Sequence, residues 1–176
     1  MATTIKTNNS YYDLKKALRK VDLPDKPRVL DCYAGNHRLW DGVELERYYP
    51  IDKQLYENLS ITADNIKIMS SLDLSEFNVI DLDAYGIPTK QLEIIFESKF
   101  KGIVYFTFIQ SMFGALPNKL LIEYGFTLKM LGRTRSLFNK NGFAKFKNFL
   151  AKRGVKHIKY FNPRKTSKFY GVFRVE

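Results

Sequence analysis

The chain has 176 residues, 29 Lys+Arg against 18 Asp+Glu, a formal net charge of +11, 45% hydrophobic residues and one Cys. That length and apolar content exclude a wholly disordered chain and suit a single domain. A lone Cys excludes an internal disulfide scaffold, and no run approaches the roughly 18 consecutive apolar residues of a transmembrane helix. The opening MATTIKTNNSYY lacks the apolar stretch and cleavage signature of a secretory leader, so a cytoplasmic location is expected.

Residues 1–27 read as an N-terminal helix and linker. Asp13 is placed to cap a basic amphipathic helix over residues 14–21, which Pro24 and Pro27 end. Residues 28–31 form a short strand closed by Asp31, followed by a tight loop around Gly35 and a short helix around residues 37–45. A second strand, 48–51, is closed by Asp52. A helical turn or two over 53–59, a brief strand at 60–62 and a helix over 66–72 come next.

Residues 77–82 are a compact apolar strand ending at Asp83, and Gly86 and Pro88 turn the chain. Thr89 can cap a helix over 90–100 with Leu92, Ile95, Phe96 and Phe100 on one face. The near-continuous apolar run 102–109 marks a strand buried on both sides. Residues 110–140 hold a helix at 118–124, an apolar segment at 126–131 and basic loop residues; this stretch reads as a substrate-recognition insertion. A helix over 142–153 turns Phe143, Phe146, Phe149 and Leu150 inward. Strands 155–161 and 168–175 pair as a hairpin around Asn162-Pro163-Arg164-Lys165-Thr166. The alternation of strands and helices gives an α/β fold: one domain over 1–176, a mostly parallel sheet, and a C-terminal antiparallel hairpin at its edge.

The positive charge is concentrated. Residues 1–118 carry 14 basic and 16 acidic side chains, a net of −2, while residues 119–176 carry 15 and 2, a net of +13. Such a cluster is the electrostatic footprint of a polyanion partner. The aromatic rings of the same third are assigned mainly to the core. Arg133, Arg135, Lys140, Arg164 and Lys165 are the candidate substrate-binding cations.

Three strands end in carboxylates: Asp31, Asp52 and Asp83. Ligands of open α/β sheets bind beyond the carboxyl ends of the strands, at the switch in strand order. Three acids gathered there call for a polar or cationic ligand. Asp52 lies 21 residues after Asp31, the spacing of a second-strand acid that accepts ribose hydroxyls. The chain has no P-loop, and one Cys with two scattered His offers no metal-ligand spacing. Cys32 is read as a small buried residue, His157 as structural, and Trp40 as packing its helix on the sheet. His37 is equally consistent with a ligand contact and with a solvated loop.

Val29-Leu30-Asp31-Cys32-Tyr33-Ala34-Gly35 resembles the opening motif of class I S-adenosylmethionine-dependent methyltransferases, Ile51-Asp52-Lys53 their second-strand motif, and Val79-Ile80-Asp81-Leu82-Asp83-Ala84-Tyr85-Gly86 their fourth. The last is especially similar to the form in tRNA guanine-N2 dimethyltransferases, and more loosely to that of amino methyltransferases. Two positions depart from the pattern. Asn36-His37-Arg38 follow Gly35, with no glycine before Gly42, and Ala84 stands in place of proline.

The resemblance implies a Rossmann-like methyltransferase domain with S-adenosylmethionine as cofactor and no metal. Asp31, Tyr33, Ala34, Gly35 and Asn36 would face the cofactor's amino-acid part. Asp52 and Lys53 would stand at its ribose, Asp64 and Asn65 at its adenine. Asp83, Ala84 and Tyr85 would hold and stack the acceptor. Together with the basic third, this implies a methyltransferase acting on nucleic acid at an exocyclic base amine, with RNA slightly favoured over DNA. The alternatives are a non-catalytic methyltransferase-like nucleic-acid-binding module, and a methyltransferase for a small molecule or protein.

Overall fold

The computed structural model describes residues 11–35, 38–54, 61–84, 86–110, 116–133 and 137–176, with the backbone alone at 38, 133, 137–140 and 165. Seven strands form one sheet: β1 (Arg28–Asp31), β2 (Arg47–Asp52), β3 (Ile61–Thr62), β4 (Val79–Leu82), β5 (Gly102–Ile109), β6 (Ile158–Phe161) and β7 (Lys168–Val175). Their order is β3-β2-β1-β4-β5-β7-β6. β3 through β5 are parallel, and β7 runs antiparallel to both neighbours. This is an open Rossmann-like sheet whose order reverses between β1 and β4. The terminal hairpin is present, but its second strand is the inner one: β7 inserts against β5 over all eight of its residues, and β6 becomes the edge. The connection between β6 and β7 therefore lies at the same end of the sheet as the carboxyl ends of β4 and β5.

Alternation along the strands sends one set of side chains to each face. Leu30, Ile80, Leu82, Val104, Phe106 and Phe108 meet a thick helical layer. It comprises α2 (Asn65–Ser71), α3 (Thr89–Glu97), α4 (Asn118–Glu123), α5 (Leu128–Arg133) and α6 (Leu137–Lys152). Phe143, Phe146 and Phe149 of α6 pack with Phe106, Phe108 and Tyr124, so among the described residues the rings of the basic third belong mainly to the core, while Tyr160 is 46% exposed. The opposite face is thin. Val29, Val79, Ile103, Tyr105 and Val172 are covered there by Leu18 of α1 (Tyr12–Leu18) and by Trp40 in a single 3-10 turn.

Several local expectations change. α1 begins earlier, with Tyr11 at its N-cap in the left-handed region (φ 64°) and no side-chain cap; Asp13 lies in the first turn instead. The helix expected over 37–45 is a 3-10 turn at Arg38–Trp40, because Asp41-Gly42 breaks it after three residues and Gly42 adopts a positive φ. Residues 53 and 54 are a bend, and the rest of 53–59 lies outside the described residues. Thr89 is the first residue of α3 rather than its cap, its hydroxyl meeting that of Tyr124. α5 starts two residues later than the apolar segment 126–131, and β6 three residues later than expected. No helix among the described residues is long and apolar enough to cross a membrane.

Gly102 opens β5 where the strand passes the backbone of Asn78, and a Cβ there would stand 2.2 Å from the Asn78 carbonyl oxygen. A backbone atom cannot move aside as a flexible side chain does. Gly102→Ala is therefore expected to lose about 3 kcal/mol in urea denaturation, the upper end for overpacking. Gly132→Ala in α5, where nothing lies within 4 Å of the added Cβ, is expected to be neutral or to gain up to about 1 kcal/mol of helix propensity.

Candidate functional site

The carboxyl ends of β1, β2 and β4 bring the acids of the three motifs to one end of the sheet. The loop after β1 is stitched to β2: the Ala34 amide donates to the Ile51 carbonyl at 3.1 Å, and the Gly35 amide to Asp52 Oδ2 at 3.0 Å. Gly35 takes a φ of 53°, a left-handed conformation that glycine adopts without a Cβ clash. Asp52 Oδ1 also accepts the Gln54 amide at 3.0 Å. A carboxylate offers about four acceptor positions, so these two amides leave room for two hydroxyl donors at a partly exposed group. Lys53 is exposed and pairs with Asp64 at 2.8 Å.

Asp64 caps α2, its Oδ1 accepting the Ile66 and Lys67 amides. The hydrogen bond from Lys53, ahead of those amides, holds its carboxyl below the usual value. Asn65 is buried and its amide is fully engaged: Nδ2 donates to the Cys32 carbonyl at 2.7 Å, and Oδ1 accepts from Gln91 Nε2 at 2.9 Å. Gln91 also donates to the Tyr33 hydroxyl at 2.7 Å. Burial first of all pushes the Tyr33 phenol up to about 12. Asn65 and Tyr33 thus brace the β1 loop against α3. Cys32 is fully buried, 3.5 Å from the Met69 sulfur, and burial pushes its thiol up.

The acids on the thin face form a buried charge cluster. Arg19, at the C-cap of α1, makes a two-pronged ion pair with Asp81: Nε to Oδ2 at 2.7 Å and Nη2 to Oδ1 at 2.8 Å. Trp40 Nε1 adds a third bond to Asp81 Oδ2 at 3.0 Å. One turn earlier on α1, Lys15 Nζ lies 2.7 Å from Asp83 Oδ2, and the Thr107 hydroxyl donates to Asp83 Oδ1. Asp31 is 2% exposed; its carboxylate receives the Tyr48 hydroxyl at 2.9 Å and the Tyr33 amide at 3.2 Å. It therefore shapes the β1 loop from beneath. Ala84 is buried, its amide turned back on the Leu82 carbonyl.

Asn36, Tyr85 and Arg135 lie outside the described residues, as do the side chains of Arg133, Lys140 and Lys165, and His37. Arg164 is exposed in the turn between β6 and β7, with a left-handed φ of 51°. The residues that reading the sequence missed are Lys15, Arg19, Trp40, Tyr48, Asp81, Gln91 and Thr107. The available signals were the four-residue spacing of Lys15 and Arg19 on one helix face, and the doubled acid in Asp81-Leu82-Asp83.

Three carboxylates face two cations here, and their titrations have opposite signs. Burial, then the neighbouring Asp81, raises the Asp31 carboxyl well above its ordinary value; burial outweighs Arg19 at Asp81 and raises it too. At Asp83 burial is more than reversed by the charges of Lys15 and Arg19 and by the bonds from Lys15 and Thr107, and the carboxyl lies low. A raised acid favours the fold fully below its unfolded value of about 4 and loses that contribution as pH rises through its folded value. A lowered acid contributes above about 4 and loses the contribution as pH falls through its folded value. In urea unfolding across pH, the stability advantage of the natural chain over Asp31→Asn is therefore expected to shrink as pH rises above about 4. Its advantage over Asp83→Asn is expected to shrink on acidification. Arg19→Met leaves two buried acids without their guanidinium and is expected to cost about 3–5 kcal/mol.

No protein-family model matches the chain, and no curated protein matches it. Among solved structures, a possible exported protein from Bordetella parapertussis superposes with a TM-score of 0.55 at 11% identity, over 94% of this chain and 67% of its own. A proposed methyltransferase from Streptococcus mutans in complex with SAH superposes at 0.45 and 11% identity, over 93% of each chain. A proposed O-methyltransferase from Nostoc punctiforme does so at 0.44 and 13%, over 95% of this chain and 56% of its own. At 11% identity, the first of these likenesses shows a shared fold.

Proposed function

We propose that this chain is an S-adenosylmethionine-dependent methyltransferase acting on nucleic acid, with an exocyclic base amine as acceptor and RNA slightly favoured over DNA. The observation that carries the reading is the pairing, on either side of the switch between β1 and β4, of a hydrogen-bonded loop cradle with a carboxylate. The cradle is Asp52 and the Gly35 loop; the carboxylate is Asp83. When bound, the cofactor supplies a methyl group on a sulfonium for in-line displacement, a reaction governed by alignment. Asp52 takes the ribose hydroxyls, and the loop braced by Asn65, Gln91 and Tyr33 sets their distance from β4. Asp83 accepts an N–H of the acceptor and offsets the positive charge that develops on the nitrogen. Ala84 follows Asp83 at this position, and a base must be unpaired or flipped to reach it.

The charge distribution supports a polyanion as substrate. Lys119, Lys129, Lys152, Arg153, Lys156, Lys159 and Arg164 are exposed, and the last third holds only two acids. Arg164 stands on the rim of the sheet from which Asp83 projects, because β6 runs parallel to β5 and ends at that rim. One observation favours the second reading, a non-catalytic nucleic-acid-binding module: the Asp83 carboxylate is already engaged by Lys15 and Thr107.

Calorimetry with S-adenosylmethionine separates the two. Saturable binding is expected, weakened at least roughly tenfold by Asp52→Ala, the size of one lost charged hydrogen bond; no binding at millimolar cofactor would leave the module. Asp83→Asn is expected to keep cofactor affinity within a few-fold while lowering transfer by about a hundredfold or more. Affinity for single-stranded RNA is expected to fall steeply between low and moderate salt, and a flat response would exclude phosphate contacts.

A further inference from the structure

Lys15 is an unusual residue to find where it is. Long ammonium side chains are almost never buried unless paired, yet Lys15 is 8% exposed. Its Nζ touches Asp83 Oδ2 at 2.7 Å and stands 5.1 Å from the centroid of the Tyr170 ring. The Thr107 hydroxyl fixes the other oxygen of Asp83, and Arg19 Nη2 stands farther off, 3.8 Å from Oδ2, so Lys15 is the cation in direct contact. A carboxylate beside an aromatic face is the pairing that binds ammonium groups, by ion pairing on one side and by the ring quadrupole on the other.

We propose that Asp83, Thr107 and Tyr170 form an ammonium-binding site that the chain fills with its own Lys15, and that a free alkylammonium ion can occupy in place of that side chain. The segment that carries it is weakly held. α1 has seven residues, too few to be stable alone. Its buried residues are Lys15 and Leu18, Leu14 is 47% exposed, and its N-cap has no side-chain hydrogen bond. Arg19 at its far end is the firm anchor, and its Nη1 donates to the Lys15 carbonyl at 3.1 Å, so it is the Lys15 side chain rather than its backbone that gives way. The ammonium site does not depend on the function proposed above.

The test is chemical rescue. Lys15→Ala removes the ammonium and three methylenes, which propylammonium chloride restores. Propylammonium at tens of millimolar is expected to raise the thermal midpoint of this variant by roughly 2–4 °C and to leave the natural chain unchanged. A rise no larger than that given by sodium chloride at equal ionic strength, or matched by propanol, overturns the site. If Lys15→Ala does not fold, acetic anhydride labelling of the natural chain decides. Lys15 is expected to react at least tenfold more slowly than Lys152, and faster in Asp83→Asn; labelling as fast as Lys152 overturns the proposal. Absence of any cofactor binding would fail the methyltransferase reading alone, since the rescue measurement needs no cofactor.

Discussion

The Arg19–Asp81 ion pair is the constraint on which the thin face of this protein depends. Asp81 sits in the middle of a parallel sheet, fully buried between β1 and β5. A carboxylate there is tolerable only with a cation and several donors around it. Arg19 supplies the cation and two bonds, Trp40 a third. Everything else on that face follows. Arg19 can reach Asp81 only if α1 lies across the sheet, and α1 in that position places Lys15 over Asp83. The 3-10 turn must bring Trp40 inward, which fixes how the chain leaves the β1 loop. A short helix with little apolar surface is thereby docked by charge rather than by hydrophobic area.

The two faces accordingly play different parts. The thick layer carries the aromatic core and provides the bulk of the packing, with Phe106, Phe108, Phe143 and Phe146 in mutual contact. The thin layer carries the polar groups of the strand ends. The candidate site lies where these regimes meet: the loop braced by Asn65 and Gln91 from the thick side, and Asp31 and Asp83 held from the thin side.

Much of the fold was legible because its signals are local. Arg28–Asp31, Gly102–Ile109 and Lys168–Val175 have the bounds their apolar patterns announce, and the acids at strand ends mark one end of the sheet. The misplacements have physical causes. The turn at Arg38–Trp40 is held by a tertiary hydrogen bond from Trp40 to Asp81, which no helical period reveals. Asp13 is a good cap in isolation, but the cap position is set by where Lys15 and Arg19 must land. The engagement of Asp83 by Lys15 spans 68 positions in the chain, and Asn65 meets Gln91 only because α2 and α3 share a layer. Such pairs are made by topology: spacing can mark each partner set, as with Lys15 and Arg19 or the doubled acid, but not which set meets which.

The insertion of β7 between β5 and β6 also orders events in time. β5 is buried along its whole length, yet one of its edges stays unpaired until residues 168–175 exist, because the strand that covers it is made after α4, α5, α6 and β6. An apolar strand with an open edge is a template for wrong partners, and pairing across long separations is slow. During synthesis this chain must therefore carry its most apolar strand with one edge open through four further described helices and strands, α4, α5, α6 and β6, and the turn after them. The lysine-rich segment that intervenes has a second use in that interval: its like charges keep the unfinished chains of neighbouring molecules apart.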